Sequence, residues 1–291
     1  MLPLVEKIQC SLLITAAQLA SRLDQRRNLI IIEIASSADV RRAPERIPGS
    51  QRVWRPDYQL PMDEAQPLDG LCPTPTAFEA FARAHGINDD TTVVIIDRKY
   101  DATRLWWLFV LFGKSDIMIL DGGYQAWVAG GYPMTLLEPP CPAYGSWSAS
   151  LPDRRLLAMR DDVRQLSDAA ASHLWDVRSI EEFTGSTVLP GATAGGRIPW
   201  ATARVDWDLL RDADGTWRSV EEVRQIVSKE LGASSDDGTV HTFYCQSGVR
   251  TTQLIFGLHR AGWPLETLRN YDGSWVEWSH LADEGEIWRP S

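Results

Sequence analysis

The chain has 291 residues, a length that suggests two domains. Its formal net charge of −10 argues against nucleic acid as the main partner but still allows local basic pockets for small anions. Four cysteines (Cys10, Cys72, Cys141 and Cys245) with no CxxC pair point to a reducing compartment, without a disulfide scaffold or a structural zinc site.

The opening residues Met1 to Lys7 lack a basic region and an uninterrupted apolar core, and no apolar run reaches the ~18 residues of a membrane span. A cytoplasmic protein without membrane contact is therefore expected. Residues 11–14 read as a short strand. Thr15 and Gln18 form a capping box for a helix running to about Leu23. Residues 29–34 are a continuous apolar run, the pattern of a parallel strand covered on both faces. Residues 38–46 are charged and read as exposed, and residues 54–75, rich in proline and acids, as a long surface loop. A helix over 76–85 ends at Gly86, a strand spans 91–97, and residues 102–112 form a helix that is apolar nearly all round. A strand at 117–120 leads through Asp121-Gly122-Gly123 into a short helix.

Between 132 and 155 prolines cluster and apolar periodicity stops, the signature of a linker. The expected division is 1–135, a linker at 136–155, and 156–291. Beyond the linker the order repeats. A helix is expected at 159–171 and a strand at 173–178. One helical turn follows at 179–183, with Ser179 as cap and Glu182 three residues on. A glycine-rich loop at 184–196 leads into a turn at 197–201. Then come a helix at 219–231, a strand ending at Tyr244, a helix from Thr251 to Ala261, a strand at 268–271 and a short helix through Trp278.

Motif pairs bear out the duplication. Glu33 answers Asp176 at an offset of 143, Asp97 answers Cys245 at 148, and Asp121 answers Asp272 at 151. A period this long marks a duplicated domain, and strands alternating with helices imply a parallel α/β sheet in each copy with helices on both faces. Asp97 cannot act as a sulfur nucleophile, so the second copy is expected to be active and the first to shape its site.

Cys245 falls at the tip of a strand and the mouth of a helix. Unpaired N–H groups and the helix dipole there, with the charge of Arg250, favour a thiolate, and inward loop amides would hold an anion beside it. Buried cysteines are usually structural, but a polar loop carrying an arginine is not what packing requires. Trp127, Trp275 and Trp278 read as core, His241 as a packed strand residue, and the other cysteines as bystanders.

Cys245-Gln246-Ser247-Gly248-Val249-Arg250 resembles the six-residue active loop of the rhodaneses. Residues 176–185, Gly196-Arg197-Ile198-Pro199 and Tyr271-Asp272-Gly273-Ser274-Trp275 resemble that family's signature strand end, glycine–histidine–isoleucine–proline turn and closing motif; Arg104-Leu105-Trp106-Trp107 and Leu120-Asp121-Gly122-Gly123 resemble its inactive half. The resemblance implies a tandem-domain sulfurtransferase of the thiosulfate/3-mercaptopyruvate type, with two similar rhodanese-like domains and no cofactor. A small anionic sulfur donor would load Cys245 as a persulfide, and a thiophilic acceptor such as cyanide would remove the sulfur. Cys245 and Arg250 would be catalytic, with Gln246, Ser247, Gly248, Val249 and Arg197 at the substrate. Asp176 and Arg178 would support the loop after their strand, and Asp272 would cap the last helix. A monomer is expected.

Four residues separate Cys245 from Arg250, where phosphatases of related fold use five, which favours sulfur over phosphoryl transfer. Glu182, placed where mercaptopyruvate-type members carry arginine, would repel a carboxylate and so favours thiosulfate as donor. Arg197 replaces the usual histidine; added charge at the site and pairing with an acid are equal readings. A non-enzymatic sulfur carrier or thiol sensor would use the same loop.

Overall fold

A computed structural model describes residues 12–23, 28–61, 68, 70–168, 173–235 and 238–289. In the first half these form β1 (Leu13–Ile14), α1 (Ala16–Arg22), β2 (Leu29–Ile34), α2 (Ser37–Arg42), β3 (Gln51–Val53), α3 (Pro75–Ala84), β4 (Thr92–Asp97), α4 (Ala102–Leu111), β5 (Ile117–Leu120) and α5 (Gly123–Ala129). The second half repeats them as β6 (Leu157–Ala158), α6 (Arg160–Gln165), β7 (Leu174–Asp176), α7 (Ile180–Thr184), β8 (Ala203–Arg204), α8 (Val220–Glu230), β9 (His241–Tyr244), α9 (Thr251–Arg260), β10 (Leu268–Tyr271) and α10 (Ser274–Leu281). All pairings between these strands are parallel, and the sheets follow the same plan, β1-β5-β4-β2-β3 and β6-β10-β9-β7-β8.

Local chemistry accounts for many boundaries. Thr15, Ser179 and Ser219 each accept the N–H three residues on, and the side chain there returns the bond, so α1, α7 and α8 begin at complete capping boxes. The central strands β2 and β4 are apolar runs buried between helical layers.

Register places the two copies in correspondence. Glu33 pairs with Ile96 on β4, and Asp176 pairs with Tyr244 on β9. The next residues along, Asp97 and Cys245, are therefore equivalent positions at the carboxyl ends of the central strands.

Three stretches differ from the sequence reading. Residues 38–46 are not simply exposed: α2 forms from a Ser36–Asp39 capping box, and Asp39 and Arg46 are buried. The expected helix at 159–171 shortens to α6 followed by a 3-10 turn to Asp168, and its last residues lie outside those described. The 54–75 loop is interrupted by a 3-10 turn at Arg55–Asp57 and leans on the other half at Gly70, which lies close against Ser247, and at Cys72, whose N–H reaches Asp272.

Residues 136–155 do not hang free. Gly145, Trp147 and Ser150 donate backbone N–H groups to the carbonyls of Arg83, Ile87 and Phe112, and Trp147 is buried against Phe78 and Phe109. The halves meet along α4 and α9. Trp106 packs edge-on against Phe256 at 5.0 Å, and one apolar core runs through both halves.

Candidate active site

In open parallel sheets ligands bind beyond the carboxyl ends of the strands, and Cys245 lies there, following β9 and 1% exposed. It forms part of the wall of a cavity of about 390 Å³. Arg55 and Tyr100 come to this cavity from the first half, and Leu189, Pro190 and Trp207 from the second. Gln246, Ser247, Val249 and Arg250 complete the lining. A larger recess of about 450 Å³ between the first half and the 136–155 segment, containing Arg46, Arg52, His85 and Cys141, includes none of these residues.

The loop is held from outside by its carbonyls. Cys245 O and Gln246 O accept the first amides of α10, from Trp275 at 3.0 Å and Val276 at 2.9 Å. Gly248 O accepts from Asn270 Nδ2 at 3.0 Å and Arg104 Nη1 at 3.2 Å. Val249 O accepts from Thr252 through backbone and hydroxyl. Ser274 Oγ accepts the N–H of Cys245 at 3.1 Å and of Gly248 at 3.0 Å, and donates to Tyr271 O at 2.7 Å. Its φ of +50° is unusual for serine and brings the hydroxyl into this position. Gly248 at φ +68° cannot be replaced cheaply, because a Cβ would stand 2.6 Å from Asp272 O.

With the carbonyls thus engaged, the N–H groups of Gln246, Ser247, Val249, Arg250 and Thr251 make no hydrogen bond to an acceptor among the described residues. Buried backbone donors are almost always paired. Consecutive free N–H groups at a helix N-terminus form an anion-binding nest.

Arg250 and Glu182 form a two-pronged ion pair, both bonds 2.7 Å, with Glu182 4% exposed. Burial would raise the Glu182 carboxyl, but the hydrogen bonds and charge of Arg250 outweigh it and hold it below the usual range. Burial works against the Arg250 guanidinium, and the hydrogen bonds of Glu182, together with the nearby charges of Cys245, Glu182 and Tyr100, more than offset it and hold it above its ordinary value. Glu182 is thus engaged with Arg250 and presents no free carboxylate to repel a carboxylate donor in the way the sequence suggested.

Other expected site residues are less direct. Gly248 sits behind the loop and does not line the cavity. Arg197 lies outside the cavity too. Its guanidinium stacks 4.3 Å from the Phe183 ring and 3.3 Å from that of Trp288, where burial lowers its pKa. Asp176 and Arg178 form a buried pair at 2.6 Å, and Arg178 also holds Gly196 O at 2.8 Å.

Asp272 does not cap α10, which lacks a side-chain cap. Its Oδ1 accepts from Arg104 Nη1 at 2.6 Å and its Oδ2 from the Cys72 N–H at 2.6 Å. Both partners belong to the first half, so Asp272 joins the halves. The first half also supplies Arg55 and Tyr100, which sequence reasoning did not single out; nothing in their local pattern marks them. Among the described residues, no group of three or more His, Cys, Asp or Glu side chains could hold a metal ion.

In the first half the equivalent loop is closed by its own carboxylate. Asp97 Oδ2 accepts the N–H of Ala102, the first residue of α4, at 2.7 Å. Burial raises the Asp97 carboxyl, against the pull of Arg211. An acid raised on folding costs nothing below its unfolded value and costs most above its folded value. Asp97→Asn keeps an acceptor for Ala102 and removes that cost. Its melting temperature should match wild type near pH 3.8, the unfolded value, and exceed it increasingly toward neutrality. Thermal melts across pH check this; a gap that shrinks as pH rises would refute it.

Fold and loop together define a duplicated α/β protein with a cysteine loop whose free amides lie at a helix N-terminus. The chain belongs to the rhodanese family: the rhodanese-like domain matches it twice, over residues 15–130 and 159–281. It is 35% identical over 213 residues to a Haloferax volcanii protein provisionally named a thiosulfate sulfurtransferase, covering 70% of this chain and 72% of that one. It is 33% identical over 249 residues to the sulfur carrier protein TtuD of Thermus thermophilus, covering 81% and 83%. In solved structures the fold is shared with EanB bearing ergothioneine linked to a persulfide cysteine, at a TM-score of 0.83, 23% identity and coverage of 97% and 71%. It is shared also with YnjE, at a TM-score of 0.79, 24% identity and coverage of 96% and 69%. The chain is a rhodanese-type sulfurtransferase.

Proposed function

We propose that the chain moves a sulfane sulfur from thiosulfate to a thiophilic acceptor through a persulfide on Cys245. The observation that carries this reading is the set of unaccepted amides following Cys245 on a loop whose Cys245, Gln246, Gly248 and Val249 carbonyls are held by surrounding donors. The Cys245 thiolate attacks the outer sulfur of thiosulfate. A new S–S bond forms, the old one breaks, and sulfite leaves with its electron pair. The loop amides and the helix end stabilise the negative charge of the persulfide, and Arg250, held by Glu182, adds a fixed positive charge beside them. Attack by the acceptor on the outer sulfur then returns the thiolate. Thiosulfate as donor is supported by the names of relatives at 34–35% identity. 3-Mercaptopyruvate is the alternative donor.

Incubation with thiosulfate should add the mass of one sulfur atom to the protein, on the peptide containing Cys245, and cyanide should remove it as thiocyanate. Faster loading by mercaptopyruvate would reassign the donor. Loading without turnover would make the protein a sulfur carrier. No mass gain with either donor would overturn the reading.

A further inference from the structure

The cavity over Cys245 is large for the donor and the assay acceptor. At about 30 Å³ per water, thiosulfate displaces on the order of four waters and cyanide about two, whereas the cavity measures about 390 Å³. That is within the usual range for organic ligands.

The extra space is not charged. Two cations line the cavity, and each faces a carboxylate. Arg250 is held by Glu182, and Arg55 lies 2.5 Å from Asp101 Oδ1. Leu189, Pro190 and Val249 are apolar. Trp207 and Tyr100, one from each half, bring their rings to 4.8 Å between centroids at an interplanar angle of 54°. Both rings are partly exposed, and Tyr100 lies in turn against the Arg55 guanidinium at 5.8 Å. An aromatic pair at the wall of a reaction cavity offers faces and edges to a flat ring.

Resting on the persulfide reading above, we infer that the second substrate is an organic thiol bearing a flat aromatic or heteroaromatic ring, seated on Trp207 and Tyr100. In the transfer the acceptor loses its thiol proton to solvent and its sulfur attacks the outer sulfur of the persulfide. The acceptor S–S bond forms, the bond to Cys245 Sγ breaks, and the electron pair stays on Cys245 as thiolate. No oxidant or reductant is consumed.

Benzyl mercaptan and cyclohexylmethanethiol test this. Both are primary thiols that differ in whether the six-carbon ring is flat; the benzyl thiol is the more acidic, so each rate ratio is divided by that of the same two thiols reacting with a small-molecule persulfide. The enzyme is first loaded with thiosulfate and its persulfide confirmed by mass; single-turnover sulfur release to each thiol then gives a rate ratio. Wild type should favour the benzyl thiol by about fivefold, the range expected of an aromatic contact. Trp207→Phe should keep most of that preference, and Trp207→Ala should bring the ratio close to one. Intrinsic thiol reactivity cancels in the comparison between variants. A wild-type ratio near one, or a ratio unmoved in Trp207→Ala, overturns the acceptor assignment and leaves the persulfide reading standing. An enzyme that cannot be loaded overturns both.

Discussion

Cys245→Ala should abolish sulfur transfer and leave the fold intact. Turnover with thiosulfate and cyanide should fall by roughly 10⁴-fold or more, since loss of a covalent nucleophile removes both half-reactions. The substitution deletes a single sulfur from a small buried side chain, so stability should change by only about 1 kcal/mol. Steady-state rates alongside a thermal melt distinguish the two effects. A variant that retained turnover would place the chemistry elsewhere, and one that failed to fold would make Cys245 structural.

Arg104→Met should damage stability and catalysis together. Arg104 is 2% exposed and belongs to α4 in the half without a nucleophile. Its guanidinium holds Asp272 at 2.6 Å, Gly70 O at 2.7 Å and Gly248 O at 3.2 Å, and lies 5.0 Å from the Trp107 ring. Removing it strands the Asp272 carboxylate and frees the back of the active loop. Breaking a buried pair in this way costs about 3–5 kcal/mol, which for a chain of this size lowers the melting temperature by on the order of 10 °C. Arg104→Lys keeps the charge but not the fork, and should recover part of the stability and less of the turnover, because one ammonium cannot hold all three oxygens. Equal turnover in Arg104→Met and wild type would separate the loop from the first half.

These expectations rest on different kinds of information. Apolar runs, capping boxes and glycine punctuation are local, and they were legible: Thr15 with Gln18 and Ser179 with Glu182 act as read. The Ser36–Asp39 box is equally local, and it starts α2 within a charged stretch. β3 and β8 are only three and two residues long. They sit at the sheet edges, too short for any periodicity to show.

The sequence by itself determined the duplication, the parallel α/β class and the single cysteine with a helix behind it. Each follows from chemistry that acts within a few residues or from motifs that recur along the chain. The tertiary structure alone decided what surrounds that cysteine. Asp272 stands where a helix cap is expected, yet it pairs with Arg104, 168 positions away. Glu182 stands where a repelling charge is expected, yet it is tied to Arg250, 68 positions away. Tyr100 and Trp207 come into contact only once the halves close. Burying a charge requires a partner, and which partner arrives is set by how two sheets dock, something no local pattern encodes.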